Sequence, residues 1–175
     1  DDARGVMASI NPQLSALHAE IYALAKKASD HATPKTGAYG EIWYGEERVA
    51  TKGPEEPLYG KTYMPRKFKI GFVIPPINDI DVYAQDLGFI AIVEGKKLKG
   101  FNIAIGGGMG RTDNAPKTYP RLATVIGFVP KDKVIETCDA TMEVQRDYGD
   151  RADRAHRRFN YTIDDKGVDF IKAEI

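Results

Sequence analysis

Two basic segments carry the residues best suited to binding an anion. In Arg66-Lys67-Phe68-Lys69, strand alternation places Lys67 and Lys69 on one side of the chain and Phe68 on the other. Residues 145–158 hold five arginines and no lysine, and the planar fork of arginine suits two-point recognition of a carboxylate. A cationic strand end and a salt-bridged surface helix are the ordinary structural explanations of these two patterns.

A glycine-rich segment is a third candidate for ligand chemistry. Gly106-Gly107-Gly108-Met109-Gly110-Arg111 directly follows an apolar stretch. Consecutive glycines let the backbone approach a ligand closely and can direct several N–H groups at an anion. The pattern matches neither the dinucleotide-binding fingerprint nor the P-loop, and a plain glycine-rich turn explains it equally well. Taken together, the three segments predict a pocket for a polyanionic ligand.

The overall charge excludes one class of partner and leaves another open. The 175 residues include 25 Lys+Arg and 25 Asp+Glu, so the formal net charge is +0. This length predicts a single domain, residues 1–175, with a substantial core. A general nucleic-acid-binding protein needs a net positive field, which this chain lacks. Binding of an anion therefore depends on where the charges lie.

The cysteine count and the hydropathy argue against a disulfide-bonded protein, a multi-cysteine metal protein and a membrane-spanning protein. Cys138 is the single cysteine, so neither an intrachain disulfide nor a multi-cysteine metal site is predicted, and no metal ligand is assigned. Its position on the apolar face of a predicted helix favours a buried core residue. No segment approaches an apolar membrane span, and Asp1-Asp2-Ala3-Arg4 is not the basic opening of a signal peptide. We expect a cytoplasmic protein without a membrane partner.

Sequence periodicity predicts the elements that position these residues. Asn11-Pro12 suits the start of a helix over residues 12–31. Residues 41–51 suit a hairpin that turns at Gly45-Glu46. Gly95 lies between the last two of three later β-rich segments and predicts an antiparallel pair. These segments are Phe68–Ile74, Leu87–Val93 and Leu98–Ile105.

Helical periodicity dominates the C-terminal third. We expect helices over Pro120–Ile126, Pro130–Asp147, about 152–162 and 167–174. The hairpin and the three β-rich segments precede these helices. The predicted fold class is therefore α+β, with a mixed or antiparallel sheet of about five strands and flanking helices.

The order of several motifs resembles the nitrite and sulfite reductase hemoproteins, from about Asp2 to Ile175. Such enzymes carry sirohaem coupled to a [4Fe–4S] cluster. The motifs that carry the resemblance are Arg66-Lys67-Phe68-Lys69, Pro75-Pro76-x-Asn78-Asp79-Ile80-Asp81, Gly100-Phe101-Asn102 with Gly106-Gly107-Gly108, and Gln145-Arg146-Asp147-Tyr148-Gly149-Asp150-Arg151. The resemblance implies a sirohaem-reductase-type domain that forms an internal segment of a larger hemoprotein and is inactive by itself.

Family positions imply roles for individual residues. Residues matching those that bind the anionic substrate over sirohaem are Arg4, Lys67 and Lys69. Residues matching those that hold the macrocycle or its carboxylates are Arg66, Gly106, Gly107, Gly108 and Arg158. Arg111 is added as a cofactor contact because it directly follows the glycine segment. The cysteines that ligate the family's cluster belong to a later segment, so we expect the cluster to be ligated outside these residues.

The resemblance also implies the reaction, which is six-electron reduction of sulfite to sulfide for sulfur assimilation and cysteine biosynthesis. Nitrite-type members tend to have a tryptophan and an uncharged residue where this chain has Phe68 and Lys69, which favours sulfite. Nitrite reduction is the alternative within the family, and a non-catalytic module that binds a tetrapyrrole or an anion is the alternative outside it. The electron donor would be a flavoprotein or a ferredoxin.

Overall fold

The computed structural model describes residues 1–9, 11–36, 40–52 and 56–175. The strands within these residues are β1 (Ala3–Ala8), β2 (Gly40–Tyr44), β3 (Glu47–Lys52), β4 (Phe68–Val73), β5 (Leu87–Glu94), β6 (Lys97–Ile105) and β7 (Thr124–Pro130). The α-helices are α1 (Ala16–Ala32), α2 (Val134–Tyr148), α3 (Phe159–Lys166) and α4 (Val168–Glu174). Short 3-10 helices occupy Val82–Ala84, Lys131–Lys133 and Arg154–His156. No helix in the described ranges is both long and apolar enough to cross a membrane.

Five strands form one mixed sheet in the order β1-β4-β5-β6-β7. β4 is parallel to both β1 and β5, whereas β6 is antiparallel to both β5 and β7. The register places Ile70 opposite Leu87 and Leu87 opposite Ile105. The start of β4, the start of β5 and the end of β6 therefore meet at one end of the sheet.

The predicted fold class is confirmed, although two of the five strands are not the predicted ones. The hairpin over residues 41–51 forms as predicted but is a separate two-stranded sheet. The two strands that join the three predicted ones in the main sheet are β1, which the sequence did not suggest, and β7. The prediction of a helix over Pro120–Ile126 is wrong, because residues 124–130 form strand β7 and pair with β6. Thr124, Val125 and Ile126 are β-branched, and β6 offers hydrogen bonds that a very short helix cannot match.

Helix boundaries also differ from the predictions. α1 begins at Ala16 because Ser15 caps it, accepting a hydrogen bond from the His18 N–H at 3.3 Å, so the predicted start at Pro12 is early. α2 begins at Val134 after a 3-10 turn rather than at Pro130. The helix predicted over 152–162 is a 3-10 turn followed by α3.

A cluster of buried aromatic rings fixes the sheet to the helices. Phe72 stacks on Phe89 with ring centroids 4.5 Å apart, and Phe101 meets both rings edge-on. Phe68, at the start of β4, contacts Phe159, at the start of α3, with a centroid distance of 5.4 Å. This contact holds the basic start of β4 beside the segment that precedes α3. Cys138 is fully buried in the same core, as predicted.

Candidate functional site

A cationic cleft lies where the ends of β4, β5 and β6 meet. Its volume is about 220 Å³. Phe68 is fully buried in the core, so the neighbouring lysines on either side of it are directed away from the core and toward the cleft. The residues that line the cleft are Arg66, Lys67, Lys69, Asp86, Gly107, Gly108, Met109, Gly110 and Arg158. The predicted basic residues of the first segment thus meet the glycine segment and one arginine of the second basic segment.

The cations of this cleft lack the carboxylate partners that most structural arginines have. Among the described residues, no carboxylate oxygen lies within 4.0 Å of the charged groups of Arg66, Lys67, Lys69 or Arg158. Arg158 instead donates to the Gly110 carbonyl. Like charges held close together without carboxylates in direct contact form a region of positive potential. The cleft is therefore suited to binding an anion.

Asp86 is a buried carboxyl in the wall of the cleft, and sequence reasoning did not identify it. It is 5% exposed, and its Oδ2 accepts a hydrogen bond from the Lys69 backbone N–H at 2.9 Å. Burial raises the pKa of Asp86 to about 6, while the nearby charges of Lys69 and Arg158 act in the opposite direction. No local sequence signal marks this residue, because only the strand register brings it next to the basic segment.

The glycine turn is closed by backbone hydrogen bonds rather than open toward a ligand. The N–H groups of Gly106, Gly107 and Gly108 donate to the carbonyls of Asp86, Gln85 and Arg121 at 2.8, 2.9 and 2.8 Å. Of the two explanations that the sequence left open, these three N–H groups fit the plain glycine-rich turn, because the neighbouring strand ends already use them.

The need for glycine in this turn comes from close packing. A Cβ on Gly107 would lie 2.3 Å from the Tyr83 carbonyl oxygen, and Gly106 has a φ of +74°. The turn thus supplies one wall of the cleft through its surface. Its predicted contact with the macrocycle stays a prediction.

A second, larger cleft adjoins the first, and the two share Arg66 and Arg158. Its volume is about 720 Å³. The residues that line it are Asp1, Pro65, Arg66, Thr112, Asp153, Arg154, Ala155, Arg157 and Arg158. Three of the five arginines of the second basic segment therefore face this combined groove.

Three predicted site residues lie outside the walls of both clefts, namely Arg4, Gly106 and Arg111. Arg4 is on β1, one strand away from Lys69, and its side chain is 63% exposed and paired with Asp1 and Asp2 at 3.6 and 3.3 Å. Arg111 is exposed and follows the glycine turn, but it lines neither cleft. The predicted roles of Arg4 and Arg111 stay predictions.

The other family-like motifs support the cleft from behind. Asn78 accepts a hydrogen bond from the Val82 N–H at 2.8 Å, and the Gln85 amide donates to the Ile80 carbonyl at 2.9 Å. These bonds fix the segment that leads into Asp86. Gln145 is 1% exposed and donates to the Arg157 carbonyl at 2.9 Å, which fixes the segment just before Arg158. Both motifs position cleft residues without lining the cleft themselves.

The donor set of the groove fits a group that carries several carboxylates. Guanidinium groups line both clefts, and the ammonium groups of Lys67 and Lys69 line the first, which is the chemistry that such a group needs. Behind Gly108 lies Asn160, a fully buried amide whose Oδ1 and Nδ2 have no hydrogen-bond partner among the described residues. Nowhere in 1–9, 11–36, 40–52 and 56–175 do three His, Cys, Asp or Glu side chains gather as metal ligands.

Comparison with known proteins agrees with this chemistry. A family model described as the nitrite and sulphite reductase 4Fe-4S domain matches residues 24–175. Two relatives named sulfite reductase (NADPH) hemoprotein beta-component, from Nitrobacter winogradskyi and Geobacillus kaustophilus, are 72% and 56% identical over 99% and 100% of this chain. The chain spans only 30% and 31% of their respective lengths.

A solved structure supports the same assignment. The NirA protein of Mycobacterium tuberculosis is 30% identical, with a TM-score of 0.52 over 63% of this chain and 20% of that chain. The family-model match covers most of the chain, and the motifs on which the resemblance rests include the walls of the cationic cleft. The chain belongs to the nitrite and sulphite reductase family.

Proposed function

We propose that this chain is the sirohaem-binding domain of a sulfite reductase hemoprotein, whose parent enzyme reduces sulfite to sulfide with six electrons. The proposal rests on the four cations of the first cleft, Arg66, Lys67, Lys69 and Arg158, which lack carboxylate partners among the described residues. Relatives with the sulfite reductase name are 56% to 73% identical to this chain. These names favour sulfite reduction over the non-catalytic binding module.

The cofactor-binding role belongs to the arginines that both clefts share. Arg66 and Arg158 line both clefts and would hold carboxylates of sirohaem. Gly107 and Gly108 form a buried, side-chain-free wall on which a flat ring can lie. When bound, sirohaem supplies an iron centre that accepts the substrate and passes electrons to it. The [4Fe–4S] cluster would be ligated by residues outside this chain, which contains one cysteine.

The substrate-binding role belongs to the lysines. Lys67 and Lys69 are two residues apart on β4 and its approach, and both line the first cleft. Their ammonium groups would hold the sulfite dianion, polarise its oxygens and carry protons to the oxygens that leave as water. Arg4 would add a third cation from the neighbouring strand.

The choice between sulfite and nitrite provides the first test. Sulfite carries more negative charge than nitrite near neutral pH, so it gains more from the second ammonium group. In the full-length protein, we expect Lys69→Ala to lower kcat/KM for sulfite by about 100-fold, the effect of losing a group that stabilises transition-state charge, and to lower it less for nitrite. Lys99→Ala is the matched control, because Lys99 is exposed and pairs with Glu94 at 2.9 Å outside the cleft. Equal losses for both substrates would contradict this role of Lys69, and faster turnover of nitrite than of sulfite by the unmodified protein would favour nitrite reductase.

The electron donor and cellular setting complete the proposal. Reduction of sulfite requires a flavoprotein or a ferredoxin as electron donor, and the sulfide produced would enter cysteine biosynthesis in the cytoplasm. A reducing compartment suits a chain with one buried, unpaired cysteine. Reconstitution of the full-length protein with each class of donor, with sulfide production as the readout, identifies the donor.

A further inference from the structure

We propose that Asp86 is a positioning residue that fixes Lys69 in the cationic cleft and offsets part of the positive charge of the cleft. The inference deepens the proposed function and rests on it, because it assigns Asp86 a part in binding the anionic substrate. Asp86 would act through Lys69 and through its own charge, without contacting the reacting atoms.

Hydrogen bonds hold both ends of Lys69 to one short segment. The Lys69 backbone N–H donates to Asp86 Oδ2 at 2.9 Å, and Lys69 Nζ donates to the Ala84 carbonyl at 3.1 Å. Residues 84–86 therefore fix both the start of the side chain and its charged end. Holding a long lysine side chain in one position costs substantial rotamer entropy, and these hydrogen bonds offset part of that cost.

The same segment also holds the opposite wall of the cleft. Gly106 and Gly107 donate their N–H groups to the carbonyls of Asp86 and Gln85. The lysine wall and the glycine wall thus share one support, which lies between the 3-10 helix at Val82–Ala84 and β5. A change at the Asp86 carboxylate therefore acts directly on the backbone of Lys69.

Charged groups of the cleft reach Asp86 from two directions. Lys69 and its neighbours Arg66 and Lys67 come from β4 and its approach, and Arg158 comes from the segment before α3. The glycine turn and the 3-10 helix contribute backbone groups. Asp86 is the only carboxyl among the described residues that line this cleft.

Ionisation of Asp86 makes the charge of the cleft depend on pH. Burial raises the pKa of this carboxyl to about 6, so Asp86 is neutral well below pH 6 and negative well above it. The negative form cancels one positive charge of the cleft. Affinity for an anion is therefore highest below pH 6 and falls as the pH rises through that value.

The test uses sulfate, a dianion that keeps its charge between pH 5 and pH 8 and needs no electron transfer. Calorimetric titration of the full-length protein should show the Kd of sulfate rising about five-fold between these limits, the Coulombic effect of one unit charge near a dianion in a water-like dielectric. In Asp86→Asn the Kd should stay at its low value. Asp139→Asn should behave like the unmodified protein, because Asp139 pairs with His31 on α1, away from the cleft.

A second variant separates positioning from charge. Asp86→Ala and Asp86→Asn both remove the charge, but only asparagine keeps an oxygen that accepts from the Lys69 N–H. At pH 8, we expect sulfate to bind Asp86→Ala about five-fold more weakly than Asp86→Asn, the loss expected from one hydrogen bond. Equal affinity of these two variants, or an unchanged pH step in Asp86→Asn, would overturn the inference. Failure of the unmodified protein to reduce sulfite would overturn the proposed function instead, since the sulfate measurement does not depend on turnover.

Discussion

Arg121 and Arg146 have the bonding of structural arginines in this fold. Arg121 Nε donates to Asp164 Oδ1 at 2.8 Å, and Arg146 Nε donates to Asp147 Oδ1 at 2.7 Å. Both also donate to backbone carbonyls, and both are largely buried. Arg66 and Arg158 have no carboxylate within 4.0 Å among the described residues, although they lie in the same fold. Residue type alone thus does not separate these arginines, and the carboxylate contacts of Arg121 and Arg146 mark those two as part of the fold.

The environment of Cys138 gives a prediction for a single side chain. Cys138 is fully buried in α2, and burial raises the pKa of its thiol far above the usual range. In the folded 175-residue chain we expect a thiol-reactive dye to modify it roughly 100-fold more slowly than free glutathione. After unfolding in urea, one thiol per chain should react, because Cys138 is the only cysteine. Rapid modification of the folded chain would show that α2 does not pack as described.

At the scale of elements, the site depends on three strand ends meeting in register. The start of β4 carries Lys69, the residue before β5 is Asp86, and the residue after β6 is Gly106. Hydrogen bonds join all three positions directly. The turn after β6 therefore has to pack closely against the segment before β5.

This close packing predicts different outcomes for two glycine substitutions. In Gly107→Ala the new Cβ would lie 2.3 Å from the Tyr83 carbonyl oxygen and 2.6 Å from that of Gln85, so backbone must move. We expect a loss of about 3 kcal/mol in the free energy of unfolding. Gly127→Ala, on β7, meets no atom within 4 Å and should change that free energy by less than about 1 kcal/mol. Urea denaturation of the two variants gives this comparison, and similar losses in both would contradict the described turn.

Local sequence signals predicted the elements that carry their own periodicity. The antiparallel pair around Gly95 and the hairpin at Gly45-Glu46 formed as predicted, because turn glycines and β-rich flanks are local features. Strands β1 and β7 were missed, since both lie at sheet edges and are stabilised by pairing with β4 and β6. Their own residues show little alternation.

The residues of the candidate site likewise fall into those that local sequence predicted and those that only the fold brings together. Lys67 and Lys69 were predicted from their spacing, and the cleft contains both. Asp86 was missed because nothing in its neighbours marks it, and its place depends on contacts with residues 17 and 20 positions away. For the glycine turn, the sequence left an anion-binding loop and a plain turn equally open, because sequence cannot show that strand ends already accept from these N–H groups.

At the scale of the whole molecule, the positive and negative charges are equal in number but unequally distributed over the surface. Carboxylates pair with cations on the outer surface of α1, as in Lys26–Asp30, and where the 3-10 helix meets α2, as in Lys133–Glu136. Cations without such partners gather in the groove formed by the two clefts. This groove belongs to a chain that spans less than a third of its relatives' length, so other parts of the parent protein are expected to complete the cofactor site.

Sirohaem content of the purified full-length protein tests the central claim most directly. Arg66→Ala with Arg158→Ala removes both arginines shared by the clefts, and each charge-assisted contact contributes about 1.5–3 kcal/mol. We expect this double variant to lose most of its sirohaem absorbance. Lys26→Ala with Lys133→Ala also removes two cations but only from exposed helix surfaces, and it should keep the full content. Full sirohaem content in the arginine double variant, or none in the unmodified protein, would contradict the account.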